Sequence, residues 1–178
     1  MNDLMLLALL LEGPQHGYAL KKKVGLITGH GEMHNNLVYP LLKRFGAAGW
    51  VTQRSVEGQR GQTRELYGLS AKGKQELIRS LSEFEDKTAA SGDAFRFRVS
   101  LFPLLQQTTR EKILDRRAHW LVDREAHLNQ VFEGTGARGW SGEAINFLIA
   151  EVRAERKWIK RLRKKSGHQR RSKAKQVT

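Results

Sequence analysis

Two adjacent amides, a phenol and two cations are the side chains best placed to do chemistry in this sequence: Asn35, Asn36, Tyr39, Lys43 and Arg44. An asparagine amide offers a donor and an acceptor side by side, the pattern that pairs with an adenine edge. Arg, Lys and Tyr suit guanine or phosphate oxygens. Between these residues, Leu37, Val38, Leu41, Leu42 and Phe45 recur at spacings of three and four, which predicts a helix with one apolar face. Pro40 lacks an N–H and favours a nearby helix start, placing the first turn at Asn35 or Asn36. Gly49 stands where a helix end wants a positive φ. The amide-rich end is the one a recognition helix turns toward base edges in a major groove. The same pattern also fits an ordinary core helix with a wet face, so its neighbours must decide.

Other chemistry is scarce. The chain has no cysteine, which removes disulfides, thiolate metal sites and cysteine nucleophiles. His30 and His34 are four apart but flanked by Gly29 and Gly31, which argues against a helix aligning them on a metal. His119 and His127 lack a paired carboxylate cluster. No phosphate-binding glycine loop and no Ser/His/Asp arrangement occurs. The expectation is a non-enzyme without metal or cofactor.

The 178 residues suffice for one good core, or a small domain with an appendage. No apolar run approaches the ~18 residues of a membrane span, and Leu4–Leu11 lacks the flanks of a signal peptide. A cytoplasmic protein without a membrane partner is expected. A net charge of +14 favours a polyanionic partner, most simply nucleic acid. That charge is uneven. Residues 1–90 hold 12 Lys/Arg against 9 Asp/Glu, and residues 91–178 hold 20 against 9, nearly all of the excess lying after Arg153. The first half must therefore rest its case on arrangement.

Around the opening stretch, Asp3–Glu12 predicts an almost wholly apolar, buried helix capped by Asn2 or Asp3 and stopped by Gly13-Pro14. A second helix opens at His16, with Tyr18, Leu20, Val24 and Ile27 turned inward. Lys21, Lys22 and Lys23 line its start, and Lys22 is a candidate phosphate contact. Gly29–Met33 reads as a turn before the candidate recognition helix. The period then changes to two: Trp50–Val56 and Arg64–Leu69 predict two strands around a polar, Gly-containing turn. Helix-turn-helix followed by such a hairpin is a winged helix, with Arg60 and Arg64 near the wing tip for phosphates or a minor groove. Ser70 should cap a helix running to about Phe84, and Thr88–Asp93 is the expected domain boundary.

Here a resemblance becomes specific. The segments Leu10-Leu11-Glu12-Gly13-Pro14, His16-Gly17-Tyr18-Ala19-Leu20, Val38-Tyr39-Pro40-Leu41-Leu42-Lys43-Arg44-Phe45, Gly49-Trp50-Val51 and Tyr67-Gly68-Leu69-Ser70-Ala71-Lys72-Gly73 follow one another in the order and spacing of the PadR family of winged-helix transcriptional regulators. The sequence resembles that family through about residues 4–85. The resemblance implies a regulator that binds double-stranded DNA, a helical C-terminal region that dimerises, and release by a small, frequently aromatic effector.

The second half reads as helical. Phe95, Val99, Phe102 and Leu105 repeat at helical spacing. Thr108 and Glu111 form a capping-box pattern before a long helix to about Glu133. Ser141 is the expected cap of the last helix, stapled by Trp140 and Ile145 and ending near Lys165. The long helices carry narrow stripes: Leu114, Leu121 and Leu128 on one, Leu148, Val152 and Ile159 on the other. Such stripes need cover, from the winged domain or from a second copy, and these six are the candidate dimerisation residues. Trp120, Trp140 and Trp158 are candidates for an effector cleft, or for interface packing. Ser166–Thr178, Lys/Arg-rich and without aromatics, reads as a disordered tail. The sequence thus predicts a mainly α chain with a small β-hairpin: a winged helix-turn-helix over 1–90, a helical region over 91–165 and a basic tail. The leading function is a homodimeric repressor on a pseudo-palindromic operator. The alternatives are a winged-helix adaptor that sequesters another regulator, and a non-specific architectural DNA-binding protein.

Overall fold

The computed structural model describes the backbone of residues 1–28, 35–57 and 62–174, and the side chains of 1–23, 37–57 and 62–166. The chain divides into two compact units, Met1–Glu83 and Phe84–Thr178.

In the first unit, α1 (Asn2–Leu9) runs into a 3₁₀ turn at Leu10–Glu12. Leu4, Met5, Leu6, Leu7, Leu9 and Leu10 are all buried, so the apolar run is core on most sides as its composition demands. Its N-cap is Met1 and no side chain caps it, contrary to the role expected of Asn2 or Asp3. Next comes an element that the hydrophobic pattern does not announce. Gln15–His16 forms a two-residue strand, β1, and α2 begins after it, at Gly17 rather than His16 (Gly17–Thr28). The candidate recognition helix is α3 (Asn35–Ala47). Pro40 is its sixth residue, so it stands past the first turn and withholds one N–H from the ladder. β2 (Val51–Glu57) and β3 (Thr63–Leu69) pair antiparallel, with β1 on the other side of β3, giving the order β1-β3-β2. The wing is thus a three-stranded sheet rather than a bare hairpin.

α3 ends in a Schellman motif. Gly49, at φ +73°, donates to the Gly46 carbonyl, and the Trp50 N–H donates to the Phe45 carbonyl. The Phe45 and Trp50 rings supply the hydrophobic contact that accompanies it, 5.5 Å apart. α4 (Ala71–Ser82) is capped by Ser70, whose hydroxyl accepts from the Gly73 N–H at 2.9 Å and donates to the Gly49 carbonyl at 2.7 Å. A Cβ on Gly73 would stand 2.0 Å from the Trp50 carbonyl oxygen, so only glycine fits there. Leu20, Val38, Leu42, Phe45, Leu77 and Leu81 close the core under the sheet. Each fully buried side chain of this size contributes about 1.5–3 kcal/mol.

In the second unit, α5 (Asp86–Ala89) and α6 (Gly92–Ser100) meet within Thr88–Asp93, the stretch expected as the domain boundary. A 3₁₀ turn at Phe102–Leu104 ends the run that the periodicity extends to Gln106. α7 (Gln107–Thr135) and α8 (Gly139–Ala174) then pair along their length. The N-cap of α7 is Gln106, and Thr108 lies inside the first turn, so the expected capping box does not form. Gln107 donates to Glu111 instead, at 2.7 Å. Ser141 likewise lies inside α8, its hydroxyl donating to the Arg138 carbonyl, and Trp140 is 91% exposed, so no staple forms. α8 continues through Ala174, well past Lys165, into the stretch expected to be disordered. Residues 175–178 lie outside the described residues.

The two stripes of α7 and α8 find cover within the protomer. Leu114, Leu121, Leu128, Val152 and Ile159 are buried in this unit, where α7 packs against α8 and α5. Phe95 of α6 meets Trp158 edge-on at 5.6 Å. Arg117, only 3% exposed, donates two hydrogen bonds to Glu155 at 2.9 and 2.8 Å and a third to the Ala89 carbonyl. Its guanidinium also lies 4.5 Å from the Trp120 ring centre.

Candidate nucleic-acid interface

α3 turns Val38, Leu41, Leu42 and Phe45 into the core. Tyr39, Lys43 and Arg44 remain on the opposite, exposed face. Leu37, counted among the apolar positions, sits at the margin of that face and is partly exposed. Asn35 and Asn36 are the first two residues of α3, where Pro40 led the start to be expected, and their side chains lie outside the described residues. Arg60 and the wing turn at 58–61 lie outside them entirely, as do His30 and His34.

The structure brings Tyr39 and Arg64 together. Both line an open, largely apolar cavity of about 610 Å³ with His16, Tyr18, Glu65 and Tyr67. Tyr39 is 46% exposed, and its ring lies over Gly17, so close that a Cβ there would come within 2.8 Å of it. Tyr18, expected inside, is instead 65% exposed and stands at the mouth of this cavity. The error is one of register: with α2 starting at Gly17, Leu20 takes the core position and Tyr18 falls on the wet face. β1 fixes that register. The His16 ring Nδ1 lies 3.0 Å from the Glu65 carbonyl, and His16 pairs with Leu66 across the ladder. Glu65 itself accepts from Ser55 at 2.7 Å and Gln53 at 3.1 Å on β2. Burial, then the neighbouring Glu65 and Tyr39, raise the Tyr67 phenol above its usual pKa, so it stays a protonated donor.

Charge on this face is moderate and partly engaged. Lys22 is exposed on α2, while Lys23 pairs with Glu12 at 2.5 Å. Arg44 is held by Asp3 of α1 and lies over the Phe45 ring.

Two other groups of sequence candidates behave differently. Of the six proposed dimerisation residues, only Leu148 is exposed; the other five are spent inside the hairpin. Among the described residues of the second unit, the large apolar side chains left exposed are Val122, Trp140, Phe147 and Leu148. The three tryptophans do not assemble. Trp140 and Trp158 lie on one helix, about 27 Å apart along its axis at 1.5 Å per residue. Trp120 lies under Arg117. A smaller cavity of about 280 Å³ does exist in this unit, walled by Val99, Phe102, Pro103 and Leu162 with Arg110 and Lys165 at its edge. The buried Ser166 hydroxyl beside it has no hydrogen-bond partner among the described residues.

Residues 6–79 match the transcriptional regulator PadR-like family. A candidate transcriptional regulator of Thermoplasma acidophilum is 30% identical, over 43% of this chain and 73% of its own, with a TM-score of 0.40. Over residues 6–79 the chain is PadR-like, with the winged-helix segment of that family of transcriptional regulators. Similar solved structures include a PadR-like transcription factor of Bacteroides fragilis, at 25% identity over 45% of this chain and 76% of its own, TM-score 0.40. Bacillus subtilis PadR, solved with operator DNA, is 17% identical over 90% of this chain and 96% of its own, TM-score 0.46. No protein of curated function matches the sequence. Among the described residues of this PadR-like chain, no helix is long and apolar enough to cross a membrane.

Proposed function

We propose that this PadR-like regulator is a homodimeric DNA-binding repressor, without enzymatic activity, that reads a pseudo-palindromic operator with α3 and its wing. The observation that carries the reading is the exposed face of α3, which presents Tyr39, Lys43 and Arg44 and on which Tyr39 shares an open cavity with Arg64 of the wing. In this reading Asn35 and Asn36 contact adenine edges. Lys22, Tyr39, Lys43, Arg44, Arg60 and Arg64 contact phosphates or guanine, and the exposed Tyr18 joins them. The dimer contact falls to Phe147, Leu148, Trp140 and Val122, because the buried stripe is occupied within the protomer. The effector is a small apolar anion held in the 280 Å³ cavity, where apolar walls meet Arg110, Lys165 and the Ser166 hydroxyl.

Genome-wide footprinting of the purified protein tests the core of this reading, followed by titration of the recovered sites. Asn35→Ala and Asn36→Ala should change base preference, whereas Arg60→Ala should weaken every sequence alike. Equal losses on operator and random duplex for all three would defeat the assignment. The Asp3–Arg44 pair and the mild charge of the first half favour one competing reading, an adaptor that grips another regulator through the same face. Footprinting that recovers no sites, together with a co-purifying protein lost on Tyr39→Ala, would favour the adaptor.

A further inference from the structure

The strongest unassigned feature is the outer face of α8. After Glu155 the sequence contains no Asp or Glu at all, while Lys and Arg recur to its end. The structure sorts these cations into two sets. Arg153, Arg156 and Arg163 reach back to α7: the first two hydrogen-bond Glu125, and Arg163 meets Asp115 at 2.6 Å. Lys157, Lys160, Arg161 and Lys165 are exposed and follow one another at helical spacings of three and four, with the exposed but engaged Lys164 among them. They form one stripe on the side opposite Val152, Ile159, Leu162 and Ser166, which face inward. Among the described residues, no carboxylate pairs with Lys157, Lys160 or Arg161.

Like charges three and four apart on a helix repel one another and weaken it. The helix dipole favours cations only in the last turn, and α8 runs on for more than two turns beyond Arg161, so the dipole does not account for the middle of the stripe. The repulsion is therefore retained although one interleaved carboxylate would relieve it, as Glu125 does for the inner set. A polyanion would relieve it as well. The stripe is linear, rises one turn per 5.4 Å, and has no exposed aromatic on which a base could stack. Those features fit the sugar-phosphate backbone of a duplex, read without sequence preference.

We propose that the outer face of α8 around Lys157, Lys160 and Arg161 is a second, sequence-independent DNA-backbone surface. It is made of residues other than those of α3 and the wing, and adds electrostatic affinity and salt dependence without adding base specificity. The proposal deepens the DNA-binding reading and rests on it.

The test is fluorescence anisotropy of the full-length protein on a random-sequence duplex across a salt series. Four proteins are compared: wild type, Lys157→Gln/Lys160→Gln/Arg161→Gln, Lys43→Ala/Arg64→Ala, and Arg153→Gln/Arg163→Gln. Each phosphate contact contributes about 0.9 to the slope of log K against log salt. The stripe variant should lose up to about 2.7 from the slope at unchanged helicity by circular dichroism. Its operator-to-random affinity ratio should stay within about twofold of wild type. Arg153→Gln/Arg163→Gln, which removes cations already engaged with α7, should leave the slope where it is. An unchanged slope in the stripe variant overturns the proposal, and so does a loss seen on phosphatidylserine vesicles but not on duplex. If the α3 and wing variant loses affinity while the stripe variant does not, the surface fails and the DNA-binding reading stands. Absence of duplex binding by wild type sinks both.

Discussion

Arg44 shows how a residue can be visible in a sequence while its state is not. Its position on the polar side of α3 follows from the spacing of Val38, Leu41, Leu42 and Phe45. Its partner, Asp3, is 41 residues earlier on another helix, and no local pattern connects them. In the DNA-binding reading, that carboxylate competes with phosphate for the guanidinium and places a negative charge beside the incoming backbone. Asp3→Asn should therefore raise affinity for duplex several-fold, most at low salt, where exposed charges act furthest. Arg44→Ala should lower it, and the Asp3→Asn gain should vanish in the Arg44→Ala background. A gain that persists there would mean that Asp3 acts on DNA directly. Tyr18 is the converse case. It was legible as an aromatic at helical spacing, but its direction depends on where α2 begins. That start is set by a two-residue strand whose ladder partners lie some fifty residues away. Arg117 was missed altogether, because a periodicity argument sends every arginine to solvent. It occupies a buried position between Leu114 and Leu121 that only the distant Glu155 makes tolerable.

Elements defined by local chemistry were the legible ones. The end of α3 follows from Gly49 and the aromatic pair beside it, and the start of α4 from Ser70. The same residues give a stability test. Gly73→Ala drives a Cβ against the Trp50 carbonyl and should destabilise the first unit by about 3 kcal/mol, read as a lowered denaturant midpoint. Ser70→Ala, which loses the cap alone, should cost only about 1 kcal/mol. The helix starts at Thr108 and Ser141 failed because a capping residue works only at the one position where the backbone leaves the helix, and α7 and α8 begin earlier. Between these two helices the sign of a pH effect can be worked out. The hydrogen bond from Arg153, joined by that from Arg156, lowers the pKa of Glu125 below the ordinary carboxylate value. A depressed acid contributes stability that is present above its unfolded pKa and is lost as pH falls through the folded one. Acid should therefore loosen the α7–α8 pair below the usual carboxylate range. Glu125→Gln should flatten that part of the melting-temperature profile and lower the plateau near neutrality. A wild-type profile that the substitution leaves unchanged would remove Glu125 from the account.

Across the whole chain, charge and apolar surface are divided between the units. The first holds a mildly basic winged helix, and the second carries most of the net positive charge on α8. Composition announced that division. The apolar repeat along α7 and α8 called for cover from the winged domain or from a second chain, and Leu114, Leu121, Leu128, Val152 and Ile159 are buried within a single one. What remains outside is a small set around Phe147, 64% exposed, and Leu148. If these hold the proposed dimer together, Phe147→Ser/Leu148→Ser should raise the dimer dissociation constant at least tenfold, about 1.4 kcal/mol. Sedimentation should show this with the melting temperature of the monomer preserved. Loss of the fold together with the dimer would count against a hairpin that stands alone.

The self-contained α7–α8 hairpin carries a last consequence. A chain that completes its own helical half needs no stretch of unfolding to change companions. If the proposed dimer forms, differently tagged copies, mixed in native buffer, should exchange into hybrids on the timescale of simple dissociation. A cell holding several such regulators could therefore reshuffle them as fast as they let go.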